Sequence, residues 1–360
     1  MNSSLIPAGC DVYAVFGERL HQPSQPALAA LIFIIIIHFL TFPFTAVLNA
    51  LVMLAVKIKP RLRAHKSNIL LALLASTDFL VGVAIQPVFI ALVITVLLDE
   101  TSSGACALQV FTRAALSCLW NASLIHVTLI SGERYLAMKH SFAYATLVTE
   151  ARLLFASAIG WLLSVTLHIP LAVDKTVFFP INNTFIALSI AFTVFCHVRV
   201  YRETRRHEQQ LAAQQVTLEA REQFERNKKA LKLTSIILAM IMLCYIPIVV
   251  ARTVLLRYRS EMSLEAVYIL YFLAVSMALF NSLLNPIIYS VRMRQFRVAF
   301  IELMYRTVNV AEAEEIEMQL FGTANAVVRL EGQDRQNVEQ ANITDNHNCD
   351  TRPQHENFVV

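Results

Sequence analysis

The stretch "NASLIHVTLISGERYLAMKH", residues 121–140, decides how the chain is read. A long apolar run ends abruptly in Glu133, Arg134 and Tyr135. A soluble helix spreads its charges along a water-facing stripe. Here charge is almost absent for about five turns, and then an acid and a base appear side by side. That is the pattern of a membrane helix meeting its aqueous boundary.

Composition points the same way. Of the 360 residues, 56% are hydrophobic and 16% charged, and the mean hydropathy is +0.55. A soluble domain carries roughly 25% charged residues, so this chain cannot cover itself with a solvated surface. A spanning helix needs about 20 mostly apolar residues. Seven stretches qualify: 27–56, 68–98, 107–132, 151–173, 178–198, 230–256 and 264–291. Pro180, Asn182 and Asn183 interrupt the outer end of the fifth. Glycine is scarce and no barrel-type alternation appears, so helices satisfy the backbone in lipid. The fold class expected is an all-α membrane protein, a seven-transmembrane helix bundle. No cleavable signal is read in the first 26 residues.

Lys and Arg orient the bundle. The 1–2 connection "KIKPRLRAHK" holds five, and the 5–6 connection holds nine from Arg199 to Lys232. Arg134, Lys139 and Arg152, and then Arg292, Arg294, Arg297 and Arg306, lie on the same side. The N-terminus is therefore expected outside and the C-terminus inside, in a plasma-membrane protein. The net charge of +4 is a topology signal and does not suggest nucleic acid. Cys118, Cys196 and Cys244 fall in apolar spans as small core residues. Cys349 is cytosolic and reduced. Cys10 and Cys106 both lie outside, where pairing and free thiols are both open.

Residues 1–26 form an outer tail with a glycosylation sequon at Asn2. Residues 27–291 form the membrane domain. After the last span, "SVRMRQFRVAFIELMYR" (290–306) places Met293, Phe296, Phe300 and Met304 at helical spacing among arginines, a short amphipathic helix over 292–306 lying on membrane lipid. Residues 307–360 are acidic and polar, and are expected to be a disordered cytoplasmic tail. The terminal "NFVV" is either a strand-adding ligand for a PDZ-domain protein or an uninformative end.

Polar residues inside spans are costly and usually functional. At the helical rise, Asp78, Asn49 and Ser123 lie about 12–15 Å in, and Asn281 and Asn285 about 16 and 10 Å in. Polar groups from four spans thus share one layer, which separate packing hydrogen bonds would not require.

These residues resemble the rhodopsin-like (class A) G-protein-coupled receptors, over roughly residues 28–305. The matching motifs are Asn49 in "LNALVML", Asp78 in "LALLASTD", "ERY" at 133–135, Trp161, Pro247 in "CYIP", and "NPIIY" at 285–289. The resemblance implies that Glu133 restrains Arg134 at rest and that Arg134 is freed toward a heterotrimeric G protein. Arginine suits that role because its charge is permanent and its donors form a rigid fork. The resemblance also implies that Tyr289 swings inward after the break at Pro286, and that Pro247 kinks the sixth span. It further names sodium as an allosteric ion held by Asp78, Ser123, Asn281, Ser282 and Asn285; no other cofactor is implied.

Several positions depart from the family pattern. Tyr245 replaces the usual Trp, Ser189 stands near the missing proline of the fifth span, and His197 replaces an inward Tyr. Asn227 stands where many relatives have an acid, and residues 171–183 lack the usual disulfide Cys. The seventh span has no lysine for a retinal Schiff base, so the chain is not an opsin. Leu116 stands where amine receptors carry Asp, which argues against an amine, and Arg252 replaces an adenine-reading Asn. The expected ligand pocket contains Arg113, Leu116, Trp120, Tyr245, Arg252, Tyr268 and Tyr271. Two arginines in an apolar pocket suit an anionic ligand, although both could instead snorkel to lipid headgroups.

A signalling receptor, not an enzyme, is the expected function; a polytopic transporter or channel is the rival. His38, His126, His168 and His197 lie on separate spans without metal-ligand spacing. The absence of broken helices and of a continuous polar pore favours the receptor.

Overall fold

The computed structural model describes residues 20–321, except 21, 100–101, 141–142, 170–174, 214–231, 233–234, 238, 241–242, 245, 252, 256 and 306–307. The first helix, α1, runs Gln25–Ile58, with Ser24 as its N-cap and Pro26 in its first turn. It ends before Pro60, whose ring disfavours helical geometry at Lys59. A single turn, Pro60–Arg63, leads into α2, Lys66–Leu97. Next come α3 (Ser103–Lys139) and α4 (Glu150–Thr166), capped by Ser102 and Thr149. The long α5, Lys175–Ala213, continues beyond the apolar span. Ile246–Leu255 is the described apolar part of the sixth span, α6. The seventh, α7, is Leu264–Arg292 behind the Ser263 cap, and α8 is Arg294–Met304.

Five of these helices are long and apolar enough to cross a membrane, and α4, at 17 residues, is just shorter. The burial pattern is inverted relative to a soluble protein. Phe155 is 69% and Leu188 67% exposed, whereas Asp78 is 1% exposed. Large apolar side chains face outward because lipid solvates them, and polar groups turn inward because lipid cannot. The Pro180 segment is helical throughout, and Asn182 turns into the bundle rather than out.

The second helix carries a π-helical turn at Val81–Ile85. Pro87 has no N–H to give the carbonyl one turn back, and a wider turn absorbs the interrupted ladder. Gly82 within that turn lets α1 and α2 touch along their backbones: a Cβ there would lie 2.7 Å from the Ala46 nitrogen. The outer ends of α1 and α7 are tied as well. The Ser24 backbone N–H donates to Glu265 Oε1, and the Ser24 hydroxyl to Oε2, both at 2.6 Å.

The chain divides into two compact units, 1–296 and 297–360. In the second, residues 310–321 are helical, within the stretch expected to be a disordered tail. Val298 and Ile301 of α8 pack with Ala313, Val308 and Ile316. Arg297 donates through Nε and Nη2 to Glu317 Oε1 at 2.8 and 2.6 Å, and lies over the Phe321 ring. The expected single lipid-facing stripe on α8 is therefore divided. Phe296 and Phe300 are buried in protein, and Met304 is exposed. Contacts made after residue 307 could not be read from the periodicity of α8 alone.

Gly82→Val should force α1 and α2 apart. Overpacking of this kind costs about 1–3 kcal/mol. The expected result is a lower unfolding temperature in detergent; an unchanged temperature would show that the backbone approach is not tight.

Candidate functional site

At the inner end of α3, Glu133 is buried and holds Arg134 in a two-point contact, Nε to Oε2 and Nη2 to Oε1, each 2.6 Å. The fork-to-carboxylate match gives the pair both strength and a fixed orientation. Tyr144, on the one-turn helix Tyr144–Leu147, also donates its hydroxyl to Glu133 Oε1. Burial, and then the neighbouring carboxylate, hold that phenol well above its ordinary range, so it remains a donor. Tyr144 was not anticipated: it belongs to a loop whose sequence gives no sign of where its hydroxyl reaches. Tyr135 packs against Phe195 of α5, with Lys139 above its ring. Tyr289 of α7 is fully buried against Phe296.

Half a membrane deeper, α2 and α7 are joined. Asn285 Nδ2 donates to Asp78 Oδ2 at 2.7 Å, and the Ser282 side chain also bonds Asp78. Asn49 of α1 donates to the Ser282 carbonyl at 2.9 Å and the Thr45 carbonyl at 2.8 Å. Asn49, Asp78, Ser123, Asn281, Ser282 and Asn285 are all buried. Among the described residues, Ser123 Oγ and the side-chain carbonyl oxygens of Asn49, Asn281 and Asn285 have no hydrogen-bond partner. A buried carboxylate with orphaned neutral oxygens on the surrounding helices is a donor set suited to a small hard cation. Among the described residues, no group of three His, Cys, Asp or Glu side chains could hold a metal.

The outer core is apolar. Leu116 and Leu119 of α3 cluster with Phe89 of α2 and with Tyr268 and Phe272 of α7, and Trp120, Trp161 and Tyr271 pack around them. Leu20 lies in the same cluster. Arg113 is close enough to Tyr271 to interact with it electrostatically. Glu265, in the first turn of α7, accepts from the Ser24 backbone and hydroxyl. Tyr245 and Arg252 lie outside the described residues, as do Asn2, Cys10, Asn227 and the terminal "NFVV". Cys106 is disulfide-bonded, while Cys118, Cys196 and Cys244 are free.

Other cross-links were missed in the sequence. Asn121 donates to Asn182 at 2.7 Å, linking α3 to α5. His126 pairs with Ser157 of α4 at 2.7 Å and lies edge-on to Trp161. Each pair consists of ordinary residues that acquire meaning from their neighbours. Pro247 lies within α6, and Pro286 is buried in α7.

Residues 48–183 and 172–289 match the profile of the 7 transmembrane receptor (rhodopsin family). The chain belongs to that family. This rhodopsin-family receptor is similar to the 5-hydroxytryptamine receptor 1D of Canis lupus familiaris, 24% identical over 336 residues, 75% of this chain and 86% of the relative. It is 30% identical to the 5-hydroxytryptamine receptor 2B of Dichotomyctere fluviatilis over 138 residues, 38% of this chain but 28% of that relative. The alpha-1A adrenergic receptor of Bos taurus is 25% identical over 229 residues, 50% of this chain and 48% of the relative. The rhodopsin family is one of membrane receptors, not enzymes.

Proposed function

We propose that this rhodopsin-family receptor carries an extracellular ligand signal across the plasma membrane to heterotrimeric G proteins, with its N-terminus outside. The observation that carries this reading is the inner end of α3. A permanently charged guanidinium sits where the apolar run of α3 ends, neutralised by Glu133, which also accepts from Tyr144. An interfacial arginine with no task would extend to water. Here its charge is stored against the protein and is released when the pair opens. A receptor needs two arrangements of similar free energy that a ligand can bias, and an ion pair at the aqueous edge provides one.

The mid-membrane layer supports sodium as an allosteric ion. Asp78, Ser123, Asn281, Ser282 and Asn285 would hold it, and bound sodium would supply the charge that balances a buried carboxylate. A cation there favours the arrangement that keeps α2 and α7 at their present separation.

For the ligand, the apolar outer core with Arg113 beside Tyr271 favours an anionic group. The amine reading has support from the relatives named above, all serotonin or adrenergic receptors. Against it, Leu116 is a buried apolar residue where an ammonium would need a carboxylate.

Arg134→Ala should abolish guanine-nucleotide exchange on purified G protein while surface expression is retained; normal exchange would remove the assignment. Glu133→Gln and Tyr144→Phe should each raise ligand-free exchange. Hydrogen bonds to a charged group contribute about 1.5–3 kcal/mol, so increases of about tenfold or more are expected. Exchanging an inert cation for sodium at fixed ionic strength should lower agonist affinity, and Asp78→Asn should remove that dependence. A sodium-independent wild type would reduce Asp78 to a packing and hydrogen-bonding residue. An agonist found by screening should be anionic and should lose affinity in Arg113→Ala; a cationic agonist indifferent to that change would overturn the anionic reading.

A further inference from the structure

His197 lies on the inner half of α5 between two serines. Its Nε2 is 3.3 Å from Ser131 Oγ on α3, and its Nδ1 is 3.4 Å from Ser235 Oγ in the sixth span. The shorter contact of Ser131, to a carbonyl that can only accept, gives one consistent placement of the protons. Ser131 has one hydroxyl proton, and it is donated to the Val127 carbonyl at 2.9 Å. Toward His197, Ser131 can therefore only accept, so Nε2 carries the ring proton. A neutral imidazole then has an acceptor at Nδ1, and Ser235 must donate to it. The result is a one-directional chain of hydrogen bonds from the sixth span through α5 to the backbone of α3.

The rest of the contact between α3 and α5 is firm. Thr128 meets Thr193 at 3.2 Å, Asn121 donates to Asn182 at 2.7 Å, and the Phe192 ring lies 3.7 Å from where a Gly132 Cβ would stand. In the sixth span, among the described residues, Ser235 is the side chain that hydrogen-bonds to another helix. Both bonds to His197 are near the long limit for hydrogen bonds and are correspondingly weak. A weak, oriented tie suits a restraint that has to open.

We propose that His197 is a positioning residue that holds the sixth span against α3 in the arrangement where Glu133 and Arg134 are paired. The effect on signalling rests on the G-protein reading above; the effect on helix position does not.

The test uses the full receptor in nanodiscs, with spin labels on cysteines replacing Lys139 and Lys232, and with ligand-free nucleotide exchange measured alongside. His197→Ala should enlarge the population with a long label separation. It should also raise basal exchange by about two- to tenfold, the range for one net hydrogen bond. Ser235→Ala should do the same to a smaller extent, and adding it to His197→Ala should change nothing further. His197→Asn keeps an acceptor near the Nδ1 position and should restore part of the short separation. If His197→Ala does not reach the membrane, Ser235→Ala carries the same test at an exposed position. Unchanged separations, or additive effects of the two substitutions, would overturn the proposal. Longer separations with unchanged exchange would leave the tie standing and count against the G-protein reading.

Discussion

Lipid offers no hydrogen bonds, and that constraint organises this receptor. Polar groups placed within the membrane find their partners in their own helix backbone or in another helix. Asn285 donating to Asp78 at 2.7 Å, with Asn49 bonding the Ser282 carbonyl, is the fullest expression of it. Three helices far apart in sequence are held at one depth because none can leave its polar group facing hydrocarbon. Ser123, Asn281 and Asn285 each leave a buried side-chain oxygen without a hydrogen-bond partner among the described residues.

The inner end is built on a different principle. Glu133 and Arg134 are adjacent in sequence, so their pairing holds no helix to another by itself. Tyr144 connects the pair to the loop beyond α3, and His197 connects α3 to the sixth span through Ser131 and Ser235. Charge is thus stored locally, while the position of the neighbouring helix depends on neutral hydrogen bonds.

At the outer end the balance shifts to apolar packing. Leu116, Phe89, Tyr268 and Phe272 form one cluster, and Leu20 joins it from before α1. Ser24 both caps α1 and donates to Glu265 in the first turn of α7, where a carboxylate also complements the helix dipole.

The sequence by itself determined the membrane class, the seven spans and the residue types that face inward. Each of these follows from composition and from a period of 3.6, which are local properties. The family resemblance of the quoted stretch implied the Glu133–Arg134 pair, and a count of residues along each helix implied a common depth for Asp78, Asn49 and Ser123. The tertiary structure decided which of those residues meet. Tyr144 on Glu133, His197 between two serines, and Asn182 on Asn121 all depend on how helices rotate about their axes and cross, which the period leaves free. The helix at 310–321 belongs to the same class: an acidic stretch reads as solvated until Glu317 is found on Arg297, with Ile316 packed beside Ile301. A single helix fixes which face is polar; only the neighbouring helices fix what that face touches.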